Sequence, residues 1–369
     1  MDKIKNVLSS LISKSFGGYS LGENKLSSNI DWVMFFSTIP LLGAGLLVMN
    51  SFTGDSHFFE RQLIWIGLSI ILFFVLSFFD FRFLKSSKIT IILFGISCIF
   101  LLLLFVLGKV SHGALSWFRL GSLSFQPADP SKLVLIILLA KYFSKRHMEI
   151  ANIKHIFVSG FYAFVLFGLI LVQPDFGSAI IIFLIWFGMI LVSGISKKHL
   201  LAIFLSGVIA FCLLWFFGFK EYQKVRILNF IHPLTDIHNT GYNSYQSAIA
   251  VGSGELFGKG VGYGTQSRLK FLPEYQTDFI FAAFAEEWGF IGVVFLFSLY
   301  GIIIWRVITI SLTGSSNFEM LYGAGVAVFL ISHFFINIGM NMQLLPVTGQ
   351  TLPFLSYGGT HLLTEFAGL

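Results

Sequence analysis

Long apolar runs recur along the chain, and most of them are about 20 residues long. A hydrocarbon core about 30 Å thick takes about 20 helical residues to cross, so each run is predicted to be a membrane-spanning helix. Strands of a membrane barrel would alternate apolar and polar residues, and these runs are apolar throughout. The sequence therefore predicts an all-α, polytopic membrane protein with about ten transmembrane helices. The predicted spans are residues 31–52, 61–79, 89–108, 131–145, 156–173, 177–195, 199–219, 280–310 and 321–345, with a tenth beginning after the glycines at 358 and 359.

Composition agrees with this class, because 56% of the residues are hydrophobic, 11% are charged and the mean hydropathy is +0.83. The net charge of +6 would suggest a nucleic-acid partner for a soluble protein, but here the placement of the charges matters more. Basic residues cluster in alternate connections, on the same side as the lysines of residues 1–30, and that side is predicted to be cytoplasmic. No nucleic-acid partner is expected. The connections contain Arg82, Lys85, Lys88, Lys141, Lys145, Arg146, Lys154, Lys197 and Lys198.

A polar stretch, residues 220–278, separates the seventh and eighth predicted spans on the outer side. We predict a large extracytoplasmic loop there, and loops of that length often carry function. Its segment Gly252–Gly264 is rich in glycine but lacks the spacing of a nucleotide-binding P-loop. A flexible loop is the favoured interpretation. The alternative is a nest of backbone N–H groups that meets an anion together with Lys259 and Arg268.

Acidic residues lie at and just beyond the start of the eighth predicted span. Thr277 and Asp278 both have the chemistry of a helix N-cap, which is one explanation for Asp278. Glu286 lies about two turns deeper, next to Glu287. Carboxylates at that depth indicate a polar cavity, an ion pair between helices or a functional site.

Two short motifs precede the fourth and sixth predicted spans. In Gln126–Lys132, Asp129 is expected to cap the fourth helix with Pro130 in the first helical position. Lys132 is three residues further on and is placed to pair with Asp129 on one face. In Gln173–Gly177, Asp175 either caps the sixth helix or faces a polar cavity.

Other chemistries find little support in the sequence. The histidines lack metal-ligand spacing, and Ser356–Gly359 is not a serine nucleophile elbow. Cys98 and Cys212 lie inside apolar runs and are expected to be structural.

From about residue 31 onward, the chain resembles the SEDS family of RodA, FtsW and SpoVE. The branch that serves elongation, RodA, is favoured by Gly264–Pro273. The matching motifs are Gln126–Lys132, Gln173–Gly177, Gln246–Gly254, Phe257–Gly260, Leu272–Phe281, Ala285–Gly289, Asn337–Gly339 and Leu352–Gly359.

The chain departs from the family pattern at several positions. Asp129 stands where Glu is usual and is followed by Pro130, and His361 replaces a small residue. Glu255 and Gln343 stand where the family usually has glycine. These departures leave the resemblance intact.

The resemblance implies a peptidoglycan glycosyltransferase that acts outside the membrane on lipid II, the undecaprenyl-pyrophosphate-linked disaccharide pentapeptide. Asp278 matches the essential carboxylate of the family and is expected to be the general base. Substrate binding is expected of Lys132, Asp129, Asp175, Lys259, Arg268 and Glu286. The implied partners are a class B penicillin-binding protein and the elongation machinery in the bacterial plasma membrane. The cofactor is unknown; a divalent cation such as Mg²⁺ would suit the pyrophosphate, but no ligand set is visible.

Two other functions fit the same residues. Charged groups inside a helical bundle would also suit a flippase for the lipid-linked precursor. The chain would equally serve as a scaffold for a penicillin-binding protein that catalyses elsewhere. Polymerisation by the purified protein distinguishes these from an enzyme.

Overall fold

Thirteen α-helices are found in the part of the chain that the structure, a computed structural model, describes: residues 30–51, 56–111, 114–120, 123–145, 153–218, 221–231, 241–269 and 271–369. Residues Val33–Leu369 form one compact unit, the helical bundle. The helices are α1 (Trp32–Asn50), α2 (Ser56–Ser77), α3 (Ser87–Leu107), α4 (Ala128–Ser144), α5 (Ile153–Val172), α6 (Phe176–Ser193), α7 (Lys197–Leu213), α8 (Glu221–Ile231), α9 (Tyr242–Ser253), α10 (Thr265–Arg268), α11 (Ile280–Thr313), α12 (Asn317–Asn341) and α13 (Gly359–Gly368).

Eight of the helices in these ranges are long and apolar enough to cross a bilayer: α1, α2, α3, α5, α6, α7 with the π-helical turn after it, α11 and α12. The predicted all-α membrane class is confirmed. The other two predicted spans correspond to α4, with 17 residues, and α13, with 10 residues. A count of ten transmembrane helices therefore remains a prediction.

A small antiparallel sheet lies between α3 and α4 and was not expected from the sequence. Its strands are β1 (Lys109–Ser111), β2 (Ala114–Leu120) and β3 (Leu123–Phe125), in the order β1-β2-β3. In the register of β2 and β3, Phe118 pairs with Phe125. The sheet is joined to α13, because the hydroxyl of Thr360 donates to Ser124 O at 3.2 Å.

The stretch 220–278 contains helices of its own, α8, α9 and α10, although we predicted a loop. Helix α9 packs against α11 and α12, so part of the stretch belongs to the helical core. The side of the membrane on which it lies is not fixed by these contacts and remains a prediction.

Helix α12 is the centre of the bundle and packs against α4, α6 and α11. Close packing depends on Gly325, where a Cβ would lie 2.6 Å from Cγ2 of Ile136 on α4 and 3.1 Å from Sδ of Met189 on α6. A larger residue would push both neighbours away. The polar residues of α12 are thereby enclosed among helices, where each needs a partner.

Basic connections meet at one end of the bundle. The ammonium of Lys85, in the 3₁₀ turn after α2, lies 2.8 Å from the carboxylate of Glu319 in the first turn of α12. Lys145, at the end of α4, donates to the hydroxyl of Ser87 at 3.2 Å. The basic connections after α2 and α4 therefore lie on the same side, as the charge pattern predicts.

Candidate active site

Asp278 is half-buried just before α11, and its main chain is held by two asparagines of α12. The side-chain amides of Asn337 and Asn341 each donate to Asp278 O at 3.0 Å. The two asparagines are four residues apart and so project from the same face of α12. The backbone that carries the Asp278 carboxylate is thus fixed by a neighbouring helix.

The cap of α11 differs from the prediction. The N-cap position is Phe279, and Asp278 precedes it. An N–H group of the first turn, that of Ala282, instead donates to Oδ1 of Asn341 at 3.2 Å. Thr277, the other predicted cap, donates its hydroxyl to Glu274. A side chain from α12 therefore takes over part of the capping expected of Thr277 or Asp278.

The segment 349–357 closes around Asp278 from the other side. A Cβ at Gly349, whose φ is +70°, would lie 3.3 Å from Oδ2 of Asp278, so the carboxylate lies directly against this glycine. Asn337 also donates to Gln350 O at 2.7 Å. The hydroxyl of Ser356 donates to Thr277 O at 2.7 Å. Motifs that lie far apart in sequence thus meet at Asp278.

Asp129 and Lys132 form a buried ion pair with their charged atoms 2.9 Å apart, and both side chains are less than 5% exposed. The predicted pairing is confirmed. The predicted cap is wrong, because α4 begins at Ala128 and Asp129 is its second residue. Asp129 also faces Nδ1 of His361 at 3.4 Å, and Nε2 of His361 lies 2.7 Å from Glu365.

His333 connects this ion pair to the segment beside Asp278. Its Nε2 lies 3.3 Å from the ammonium of Lys132, and its Nδ1 lies 3.2 Å from Thr351 O. Sequence reasoning missed His333, although a signal was present. His333, Asn337 and Asn341 recur every four residues along a largely apolar helix, which places them on one face.

Asp175 caps α6, one of the two roles predicted for it. Its Oδ1 accepts from Ser178 N and its Oδ2 from Nε2 of Gln126, both at 3.0 Å. Gly177 follows in the first turn, where a Cβ would overlap the side chain of Gln350. The motifs Gln126–Lys132 and Gln173–Gly177 are therefore in contact with each other and with the segment beside Asp278.

The glycine-rich segment, Gly252–Gly264, packs against a break in α11 and holds it by main-chain hydrogen bonds; we call this contact the glycine lock. The helix is interrupted at Gly289, whose φ is +64°, and the main-chain groups freed there pair with residues 255–260. A Cβ at Gly258 would overlap Glu287 O, so the two chains approach closely only because of glycine. Neither a flexible loop nor an open anion nest describes this arrangement. The four bonds are Phe290 N to Glu255 O (2.9 Å), Ile291 N to Leu256 O (3.1 Å), Lys259 N to Glu286 O (3.0 Å) and Gly260 N to Glu287 O (3.0 Å).

Glu286 is fully buried at the centre of this lock. Its Oε1 lies 2.8 Å from the ammonium of Lys259 and accepts from Thr265 and Gln266 N at 3.0 Å. Arg268, at the end of α10, is exposed and has no ion-pair partner within the part of the chain that the structure describes. The structure therefore pairs Lys259 with Glu286 and leaves the guanidinium of Arg268 accessible.

A metal site is not assigned. Across the described ranges, no three side chains of His, Cys, Asp or Glu are grouped so that they would hold an ion.

Fold and site together define a multi-pass helical membrane protein. The end of its central helix, α12, holds the main chain of the acidic residue Asp278. Residues 29–369 match the family described as cell cycle protein, which comprises FtsW, RodA and SpoVE. The chain belongs to this family, the SEDS family, as the sequence motifs predicted, and is a multi-pass inner-membrane protein.

Individual relatives cover most of the chain. Peptidoglycan glycosyltransferase MrdB of Escherichia coli K12 is 34% identical over 342 residues, which is 92% of this chain and 91% of that protein. Stage V sporulation protein E of Bacillus subtilis is 38% identical over 352 residues, 90% of this chain and 93% of that protein.

Two solved structures are similar to this chain over most of its length. The rod shape determining protein RodA of Thermus thermophilus superposes with a TM-score of 0.68 at 30% identity, covering 92% of this chain and 93% of that one. A chain of a peptidoglycan synthase complex, solved to describe the coordination of polymerization and crosslinking, gives a TM-score of 0.78 at 30% identity and covers 92% of this chain and 95% of its own.

Proposed function

We propose that the chain polymerises lipid II into glycan strands during cell elongation, with Asp278 as the general base. Peptidoglycan glycosyltransferase activity itself follows from membership in the family and from relatives that carry that name. The substrate, the branch and the residue roles are our proposal.

The observation that carries the proposal is the fixation of Asp278. A sugar hydroxyl is a poor nucleophile, and a positioned carboxylate accelerates its attack by taking its proton. In the proposed step, the acceptor hydroxyl attacks the anomeric carbon, the bond to the pyrophosphate breaks, and the proton passes to Asp278. An α-linked donor then gives a β-linked product by inversion, which needs one base and no covalent sugar intermediate. The two asparagines that hold Asp278 O supply the preorganisation that such a base needs.

The course of α12 supports an outer location for Asp278. Glu319 in its first turn pairs with Lys85 among the basic connections, and Asn341 at its end holds Asp278. At 1.5 Å per residue these two positions are about 33 Å apart, close to the thickness of the hydrocarbon core. With the basic side in the cytoplasm, as the positive-inside rule predicts, Asp278 faces the outside.

The predicted substrate-binding residues differ in accessibility. Arg268 is exposed and is the best placed to meet the pyrophosphate, because guanidinium groups bind phosphate oxygens in a fork. Lys259 is partly exposed beside Glu286, and Asp175 caps α6. Asp129 and Lys132 are enclosed, so we propose that they act by supporting the site.

Polymerisation by the purified protein is the test. The protein is mixed in detergent with fluorescent lipid II, and the products are separated by gel electrophoresis. Glycan ladders from wild type support the proposal. Ladders that are absent, together with lipid II translocation in vesicles that contain the protein, would instead establish a flippase.

We further propose a class B penicillin-binding protein as partner, since this chain resembles a chain of a synthase complex that couples polymerization with crosslinking. Affinity purification from native membranes is expected to recover a single-pass transpeptidase, and adding it back should raise the polymerisation rate. Equal activity with and without that protein would contradict the proposal.

A further inference from the structure

Segment 350–354, which continues from the glycine beside Asp278, is held by three side chains of the helical core. Asn337 donates to Gln350 O at 2.7 Å, and Nδ1 of His333 lies 3.2 Å from Thr351 O. The carboxylate of Glu365 accepts from Phe354 N at 2.9 Å. Two of these three anchors, His333 and Glu365, also belong to the buried cluster around Asp129 and Lys132.

The hydrogen bonds of His333 define its tautomer. The ammonium of Lys132 has only protons to give, so Nε2 of His333, 3.3 Å away, must accept. The ring proton then lies on Nδ1, which donates to Thr351 O. A charged imidazolium would point an N–H at an ammonium, and a ring protonated on Nε2 would leave nothing for Thr351 O. A neutral ring protonated on Nδ1 satisfies both neighbours.

The second histidine of the cluster has the opposite surroundings. Both nitrogens of His361 lie within ion-pair distance of carboxylates, those of Asp129 and Glu365, and two adjacent negative charges favour the imidazolium form. The cluster then has two cations, Lys132 and His361, and two anions, Asp129 and Glu365. With His333 neutral, the buried charges cancel, which is the condition for enclosing them at low cost.

We propose that His333 is a positioning residue for glycan transfer, which acts by donating from Nδ1 to Thr351 O and so fixing the segment that packs Gly349 against Asp278. The inference rests on the proposed function, because it assigns His333 a role in placing the proposed base. His333 is 1% exposed and, by its position, acts on Asp278 through the segment. A group in that position is expected to affect the chemical step more than substrate affinity.

Two substitutions separate the two hydrogen bonds. In His333→Asn, the amide nitrogen takes the place of Nδ1 and still donates to Thr351 O. In His333→Gln, the amide oxygen reaches the place of Nε2 and still accepts from Lys132, but Thr351 O loses its donor. We expect His333→Asn to keep kcat within about threefold of wild type and His333→Gln to lower kcat about 10- to 100-fold, with KM for lipid II nearly unchanged, since small misplacements of catalytic groups cost that much.

The control is His155→Gln, which removes a buried histidine of α5 that contacts the hydroxyl of Tyr142 at 2.9 Å. It should lower kcat by less than about twofold. All variants are compared in the lipid II assay at matched thermal stability, with wild type and Asp278→Asn alongside. Inactive wild type would refute the proposed function. Active wild type with equal kcat for His333→Gln and His333→Asn, or an effect confined to KM, would overturn the positioning role alone.

Discussion

The side-chain amide of Asn341 spans the junction between Asp278 and α11. Its nitrogen donates to Asp278 O at 3.0 Å, and its oxygen accepts from Ala282 N at 3.2 Å. The last residue of α12 thus fixes both the residue that carries the carboxylate and the first turn of the helix behind it. Relative motion of α11 and α12 would move Asp278, so the packing of these two helices sets the position of the proposed base.

Asp278→Asn should abolish most polymerisation without unfolding the protein. Asn has the same size, and the bonds from Asn337 and Asn341 go to the main-chain oxygen, which the substitution does not change. Loss of a general base is expected to lower the rate by about 10²- to 10⁴-fold. The measurement is lipid II polymerisation at matched thermal stability. Asp80→Asn, an exposed carboxylate after α2, is the matched control and should retain full activity. Near-wild-type polymerisation by Asp278→Asn would remove the base assignment.

Asn341→Ala should lower both stability and activity. The substitution removes the amide oxygen, so Ala282 N loses an acceptor inside the bundle, whereas the hydroxyl of Ser247 still donates to the main-chain oxygen of residue 341. An unsatisfied buried polar group costs about 1–3 kcal/mol. Thermal unfolding in detergent measures the loss, with Asn50→Ala at the exposed end of α1 as control. Unchanged unfolding and unchanged kcat would show that Asn337 alone holds the junction.

Lys132→Met should destabilise the protein by about 3–5 kcal/mol, because it leaves the buried carboxylate of Asp129 without its closest cation. Adding Asp129→Asn should recover part of that loss. Exchanging the two charges should recover little, since a lysine at position 129 would face His361, now 3.4 Å from Asp129.

Thermal unfolding of wild type, Lys132→Met, Lys132→Met with Asp129→Asn, and the charge-exchanged variant tests this prediction about the buried pair. The control is Lys85→Met, which breaks a half-exposed pair with Glu319 and should cost less than about 1 kcal/mol. Full recovery by the charge exchange would mean that His361 does not contribute to the network.

Gln343→Gly and Glu255→Gly should each stabilise the protein, by up to about 1 kcal/mol. The two residues stand where the family usually has glycine, and their φ angles are +58° and +49°, in the left-handed region that glycine favours. The relief of strain exceeds the entropy that glycine adds to the unfolded chain. The control is Met342→Gly, at a φ of −90°, which should lower the midpoint of thermal unfolding. A lower midpoint for Gln343→Gly would show that its side-chain contacts outweigh the strain.

Glu286→Gln should loosen the glycine lock. The carboxylate accepts from Lys259, Thr265 and Gln266 N through one oxygen, and an amide would lose the charge and one acceptor. We expect faster amide hydrogen exchange across residues 259–268, measured by mass spectrometry. Glu274→Gln, at an exposed carboxylate, should leave exchange in that segment unchanged. Unaltered exchange in Glu286→Gln would show that the main-chain bonds alone maintain the lock.

The sequence by itself determined the membrane class and most helix positions. The predicted spans 177–195 and 280–310 correspond to Phe176–Ser193 and Ile280–Thr313. These features are local, because apolar runs of bilayer length have few alternatives to a helix. The pair of Asp129 and Lys132 was also predictable, since residues three apart on one helix are neighbours whatever surrounds them.

Tertiary structure alone decided which distant residues meet. Asp278 is held by Asn337 and Asn341 and lies against Gly349, and no local pattern relates these positions. The same holds for Glu286 and Lys259, whose charge compensation explains a buried carboxylate that the sequence could only mark as unusual. Polar groups inside a bundle must find partners, but the identity of each partner depends on how helices pack and where a helix breaks. That information is distributed over the whole apolar surface of the bundle and does not reside in the polar motifs themselves.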